Sequence, residues 1–131
     1  MLCKELTGIC HTAGLDPFLG VMHQPRYGRP ALALDFMEEF RPLIADSVAV
    51  SLINRGEVAK SDFVISAAGV FLNEHGRRAF WESYSRRIDT EISHPQFEYK
   101  TSYRRMLEVQ VRQMWRFVRG ESAGYIGFTT R

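Results

Sequence analysis

The sequence predicts an all-α fold, a helical bundle packed around one central apolar helix, and three observations carry that reading. Apolar residues recur at intervals of three and four rather than two along most of the 131 residues. The stretch 31–54 is apolar on nearly every side, as a buried helix is. Helix starts and stops are also marked, with Asn73 and Ser102 ahead of periodic runs and Gly14, Gly56 and Gly120 behind them. A composition of 45% hydrophobic and 24% charged residues excludes a disordered chain, and the length suits one domain with a single core.

The first helix carries Leu2, Leu6, Ile9 and Cys10 on one side and stops at Ala13-Gly14-Leu15-Asp16-Pro17. A loop over 18–30, broken by glycine and proline, contains His23. The central helix follows over 31–54, with Phe36, Phe40, Leu43, Ser47 and Val50 on one side and Met37, Ile44, Val48 and Leu52 on another. Pro42 removes a backbone donor and is expected to kink it near Glu38 or Glu39. Signals are mixed over 57–72, where Ser61 suits the start of a short helical turn and Val70-Phe71-Leu72 reads as a brief extended piece. Asn73 caps a helix expected to reach about Ile92, with Phe80, Trp81, Tyr84 and Ile88 as its stripe and His94-Pro95 as its stop. After a loop over 97–100, Ser102 caps a last helix with Tyr103, Met106, Leu107, Val111, Met114 and Val118 at helical spacing. No internal repeat, low-complexity tract or linker interrupts the chain.

No apolar run approaches the roughly 18 residues of a membrane helix, and the N-terminus lacks a signal-peptide core, so a cytoplasmic protein is expected. Cys3 and Cys10 lie two helical turns apart, too far for a disulfide, and lack zinc-site spacing. Residues 1–60 hold six basic and seven acidic side chains, and 61–131 hold eleven and eight, so positive charge gathers in the second half. Of 17 basic residues 14 are arginine, whose planar fork suits phosphate.

Two groups of residues bear on chemistry. His23, with Asp35, Glu38 and Glu39 at i, i+3 and i+4 on a helix, makes an anionic patch with an imidazole near it, a donor set that suits Mg²⁺ or Mn²⁺. Acids gathered at a helix start to suit its dipole give the same pattern. Arg105, Arg112, Arg116 and Arg119 form a row on the last helix that reads equally as a phosphate track or a solvated face. His11, His75 and His94 have no partnered nucleophile, and no glycine pattern marks a nucleotide cofactor.

Ala13-Gly14-Leu15-Asp16-Pro17-Phe18-Leu19-Gly20-Val21-Met22-His23, followed by Gly28-Arg29-Pro30-Ala31-Leu32-Ala33-Leu34-Asp35-Phe36-Met37-Glu38-Glu39-Phe40-Arg41-Pro42, resembles the metal-site core of the CRISPR-associated spacer-acquisition integrases. Leu52-Ile53-Asn54-Arg55, Gly76-Arg77-Arg78, Thr90-Glu91 with His94-Pro95, and Ser102-Tyr103-Arg104-Arg105 resemble the same family in the same order, with type I systems nearest. The resemblance implies a helical catalytic domain spanning 1–131, C-terminal to a β-rich domain that this chain lacks. It implies a metal-dependent DNA endonuclease and integrase that inserts prespacer DNA into a CRISPR array, with Mg²⁺ or Mn²⁺ as cofactor. His23 matches the histidine ligand, Glu38 the acidic ligand and Asp35 a supporting acid in catalysis. The family's glutamate ligand belongs to a helix before Met1, and Glu5 lies too close to Gly14 to replace it. Arg26, Arg29 and Arg41 are the expected phosphate contacts. Val21 stands where many relatives carry an aromatic residue, and Gly127 where many carry proline.

The implied partners are DNA, both prespacer and repeat, a second copy of the chain, and a small ferredoxin-like CRISPR-associated subunit. Two alternatives stand beside this reading. One is a catalytically incomplete helical fragment acting only in DNA binding or self-association. The other is a small helical interaction module whose acidic patch is merely a helix start.

Overall fold

Three helices build the first of two compact units, Met1–Arg41 with Glu91–Arg131. The computed structural model describes residues 1–93 and 99–129. Helix α1 (Leu2–Ala13) buries Leu2, Leu6 and Cys10, its i, i+4, i+8 stripe. It ends at Gly14, whose φ of 83° is open to glycine without strain, and the amides of Gly14 and Leu15 return to the carbonyls of His11 (3.1 Å) and Cys10 (2.9 Å). Helix α2 (Ala31–Phe40) packs on α1 and buries Ala31, Leu32, Ala33, Phe36 and Phe40. Helix α5 (Tyr103–Val118) also packs on α1, through a stripe that includes Tyr103, Met106, Leu107 and Val111, and the Ser102 hydroxyl accepts the Arg105 amide at 3.3 Å as its cap. Both cysteines are free, and burial pushes the Cys10 thiol up to about 11.

Past α5 the chain folds back on α2. Phe128 stacks on Phe40 with ring centroids 5.0 Å apart, and Tyr125 meets the edge of Phe36 at 6.2 Å. The Glu39 carboxylate locks this return by accepting the Tyr125 hydroxyl (2.5 Å), the Phe128 amide (2.8 Å) and the Gln110 side-chain amide (3.1 Å). Burial and the adjoining Glu39 push the Tyr125 phenol well above its ordinary value, so it stays a donor. Gly127 fits beneath the same carboxylate, where a Cβ would lie 3.4 Å from Glu39 Oε1.

The second unit is Pro42–Thr90. A π-helical turn, Pro42–Asp46, leads into α3 (Ser47–Asn54), and α4 (Glu74–Ile88) packs on α3. Val48 and Leu52 of α3 and Tyr84 and Ile88 of α4 are buried. Asn73 caps α4 as its sequence position predicts, accepting the Gly76 amide at 2.8 Å. A 3₁₀ turn, Lys60–Asp62, precedes strands β1 (Phe63–Ser66) and β2 (Gly69–Leu72), which pair antiparallel from Phe63 opposite Leu72 to Ser66 opposite Gly69.

The fold is therefore mixed α and β rather than all-α. The β1–β2 hairpin is one correction, and a second hairpin in the first unit, β3 (Glu91–Ser93) with β4 (Lys100–Ser102), is the other. Phe63, Val64, Ile65, Val70 and Phe71 are aromatic or β-branched, the residues a pleated surface accommodates best. All five are exposed, so no inward-outward alternation announces the strands. Helix α4 stops at Ile88 and not near Ile92, because Glu91 and Ile92 pair with Ser102 and Thr101. The single helix expected over 31–54 is three pieces, since Pro42 has no N–H to donate to an α-helical partner and the π-helical turn begins there. Burial on nearly every side holds for α2 but not for α3, where Val50 and Ile53 face solvent. The expected stop at His94-Pro95 and the start of the 97–100 loop lie outside the described residues. No described helix is long and apolar enough to cross a membrane.

Replacing Glu39 by alanine leaves two donors of the returning tail, the Tyr125 hydroxyl and the Phe128 amide, without this acceptor and removes one of the two partners of the Gln110 side-chain amide on α5, which is expected to cost about 1–3 kcal/mol in denaturant unfolding. Hydrogen exchange at the Phe128 amide is expected to accelerate with it. A tail as protected in Glu39→Ala as in the parent chain would remove this role.

Candidate metal-binding site

The segment 14–30 connects α1 to α2 without regular structure, and its backbone polar groups need partners. Asp16 Oδ1 accepts the Phe18 amide at 2.9 Å, turning the chain just after α1. Pro17 is fully buried, and its carbonyl accepts the Leu32 amide at 2.9 Å. That bond replaces the side-chain cap that Pro30 is unable to provide to α2. Gly20 lies so close to α2 that a Cβ there would sit 2.7 Å from the Ala31 Cβ and 2.5 Å from the His23 carbonyl oxygen. Only glycine lets the loop approach this closely.

The approach delivers three consecutive amides to one carboxylate. Asp35 accepts the N–H groups of Val21 (2.5 Å), Met22 (3.0 Å) and His23 (2.9 Å), and its Oδ1 also meets His23 Nδ1 at 2.5 Å. Burial alone would raise the Asp35 pKa, but the His23 ring and the three amides together hold it below the ordinary carboxylate value. An ionised carboxylate only accepts, so Nδ1 carries a ring proton, and in the neutral imidazole the Nε2 lone pair is the one left for a ligand. This carboxylate–histidine arrangement recurs behind metal-ligating imidazoles, where it fixes both tautomer and ring direction. The His23 side chain keeps a quarter of its surface accessible.

The three acids of α2 divide. Asp35 spends both oxygens on the loop, and Glu39 is turned to the returning tail, which removes it from the anionic patch the sequence suggests. Glu38 is exposed one turn beyond Asp35, and among the described residues its carboxylate has no hydrogen bond or ion pair. Among the described residues no three His, Cys, Asp or Glu side chains gather closely enough to hold a metal by themselves. By donor chemistry His23 Nε2 and the Glu38 carboxylate are the two groups of this region that suit a divalent cation. Sequence reasoning missed the loop amides that fix Asp35; the residue that signals them is Gly20.

Arg26 and Arg29 flank a tight turn in which the Arg29 amide donates to the Arg26 carbonyl at 3.0 Å, with Gly28 at φ 70° and Tyr27 fully exposed. Arg41 lies at the C-terminal cap of α2. The α5 arginines are largely met by acids of their own chain. Arg105 pairs with Glu108, Arg119 pairs with Glu121 at 3.0 Å and lies over the Trp115 ring, and Arg116 approaches Glu121 at 4.0 Å. In the other unit His75 is a surface residue whose Nδ1 lies 3.0 Å from Asp62, and the Asp62 pKa is lowered by the Ala59 amide first and by His75 and Asn73 after it.

A sequence profile for the family described as CRISPR associated protein Cas1 matches residues 1–86. Over its whole length the chain is 51% identical to a protein of Geobacter sulfurreducens named CRISPR-associated exonuclease Cas4/endonuclease Cas1 fusion, of which it covers 23%. Over 98% of its length it is 40% identical to the CRISPR-associated endonuclease Cas1 of Leptospira interrogans, of which it covers 50%. The chain thus spans half or less of the length of these curated relatives. A solved structure described as a casposase bound to integration product matches 94% of this chain and 36% of its own, with a TM-score of 0.85 at 22% identity, a likeness of fold alone. With a family profile covering more than half of its residues and two relatives at 40% identity or above, this chain belongs to the Cas1 family.

Proposed function

We propose that this chain supplies part of the metal-dependent active site of a DNA endonuclease and integrase that inserts prespacer DNA into a CRISPR array. The observation that carries the reading is the Asp35–His23 contact, which fixes the Nδ1 proton and presents Nε2 as a ligand. His23 and Glu38 would hold Mg²⁺ or Mn²⁺, with Asp35 as the positioning acid behind His23. A bound divalent ion there supplies Lewis-acid polarisation of a phosphodiester and charge stabilisation at the leaving oxygen. Arg26 and Arg29, on the turn that follows His23, would hold the DNA backbone, with Arg41 as a third contact. The partners that go with this reading are prespacer and repeat DNA, a second copy of the chain, and a small ferredoxin-like CRISPR-associated subunit.

A second reading, a catalytically incomplete piece that only binds DNA or itself, is favoured by there being no group of three possible metal donors among the described residues. Mn²⁺ binding and cleavage by the purified chain separate the two. Two protein donors are expected to hold Mn²⁺ weakly, with binding lost in both His23→Ala and Glu38→Gln. Metal-dependent cleavage lost in His23→Ala would favour the active site. Mn²⁺ affinity unchanged by both substitutions would overturn the ligand assignment.

The depressed Asp35 pKa fixes the sign of an acid response. Its contribution is complete above the unfolded aspartate value of about 3.9 and fades as pH falls through the lower folded value. Exchange protection at the Val21, Met22 and His23 amides is therefore expected to persist below the ordinary aspartate value of about 3.9 and to be lost only as pH falls through the lower folded value. In Asp35→Asn one amide donor replaces an acceptor, so the same protection is expected to be weak at every pH.

Phosphate contacts supply affinity without base information, so DNA binding is expected to be sequence-tolerant and salt-sensitive. Arg29→Ala is expected to lower both affinity and salt slope. An unchanged slope, measured by fluorescence anisotropy across a salt series, would displace Arg29 from this role.

A further inference from the structure

In the second unit α3 and α4 enclose a cavity of about 270 Å³ lined by Ser47, Ser51, Arg55, Ser83, Arg86 and Thr90. Ser47, Ser51 and Arg55 recur at i, i+4 and i+8 on the α3 side, and Ser83, Arg86 and Thr90 at i, i+3 and i+7 on the α4 side. The wall is made of hydroxyls and guanidiniums, with Val48 its apolar exception, and it contributes no carboxylate or imidazole. Such a donor set suits an oxyanion and not a metal ion. The volume falls below the roughly 300–1,000 Å³ of pockets for drug-sized ligands and accommodates a phosphate group.

Two further observations favour an anion as the occupant. Ser83 is only 8% exposed and lines the cavity, yet among the described residues its hydroxyl has no hydrogen-bond partner. Buried hydroxyls ordinarily find one. Glu57 is shared by two cations of this wall, at 3.3 Å from Arg86 and 3.7 Å from Arg55, so two guanidiniums with five donors each are served by one carboxylate. Glu57 occupies the position of a tethered counter-ion that a stronger acceptor would displace.

We propose that this cavity is a phosphate-binding site, in which Arg55 and Arg86 hold the oxyanion, Ser83 with Ser47 or Ser51 donates to it, and Glu57 competes with it. The site lies on a different unit from His23 and Asp35 and does not depend on the metal reading. The phosphate belongs either to a nucleic-acid backbone or to a free anion, and the chemistry of recognition is the same.

The test is an amide chemical-shift titration of the chain in EDTA, once with inorganic phosphate and once with a short oligothymidylate. Shifts are expected at Ser47, Ser51, Ser83, Arg86 and Thr90. Arg55→Gln and Arg86→Gln are each expected to weaken binding about tenfold or more, and Ser83→Ala by several-fold, with the fold retained. Glu57→Gln is expected to tighten it, an outcome that general unfolding would not produce. Saturation by both probes assigns the site to any accessible phosphate, and saturation by the oligonucleotide alone assigns it to a backbone phosphodiester. Shifts by neither probe, shifts spread equally over Arg105, Arg112 and Arg116, or a Glu57→Gln affinity no higher than the parent's would overturn the proposal. His23→Ala is expected to leave this titration unchanged, so a failed metal assignment and a failed phosphate assignment are told apart.

Discussion

One carboxylate organises the candidate metal site. The loop before α2 presents three successive amides and an imidazole N–H, and Asp35 accepts all four. Without it those donors would need water or rearrangement, and the loop would lose the reason to lie against the helix. The arrangement also disposes of the acid's own burial, because four donors outweigh the desolvation that would otherwise neutralise it. An oxygen pair used in this way has little left for a cation. Asp35 is thereby a positioning group, and in the proposed reading ligation would fall to the ring it holds.

The same logic separates the acids that share α2. Asp35 and Glu39 stand four residues apart on one helix side, and each fastens an irregular segment, the first 21–23 and the second 125–128. Glu38 lies about 100° around the axis from Glu39 and is left to solvent. Three acids within five residues read alike as charge, but their partners make two of them structural. The remaining one is the acid free to bind something else.

What the sequence made legible follows from which rules act locally. The Asn73 and Ser102 caps and the Gly14 stop are decided within four residues, and all three stand where the spacing puts them. Val70-Phe71-Leu72 was legible as an extended piece and lies in β2, but the pairing into hairpins was not, because a strand is recognised by a buried face and β1 and β2 bury neither of theirs to any extent. The Pro42 break was legible in position but not in kind, since a missing donor is compatible with a kink or with a wider turn. At the site, His23 and Asp35 were named from donor chemistry and spacing and again from a resemblance, whereas their contact spans twelve residues and depends on Gly20 yielding room at Ala31. No periodicity encodes such a contact.

Arginine placement shows why charge counts mislead where counter-charges are near. The row on α5 looks like a phosphate track in sequence, yet Glu108 and Glu121 are spaced to meet most of it. An exposed pair of this kind contributes little to stability, but it does lower the field that a polyanion would encounter. Arg26 and Arg29 gather on the turn beside His23, so that positive charge and the presented Nε2 sit on the same connection between α1 and α2. A phosphodiester held there would lie beside the proposed metal ligand. Positioning by the loop and polarisation by a cation are then consequences of the same backbone, fixed at one end by Gly20 and at the other by Asp35.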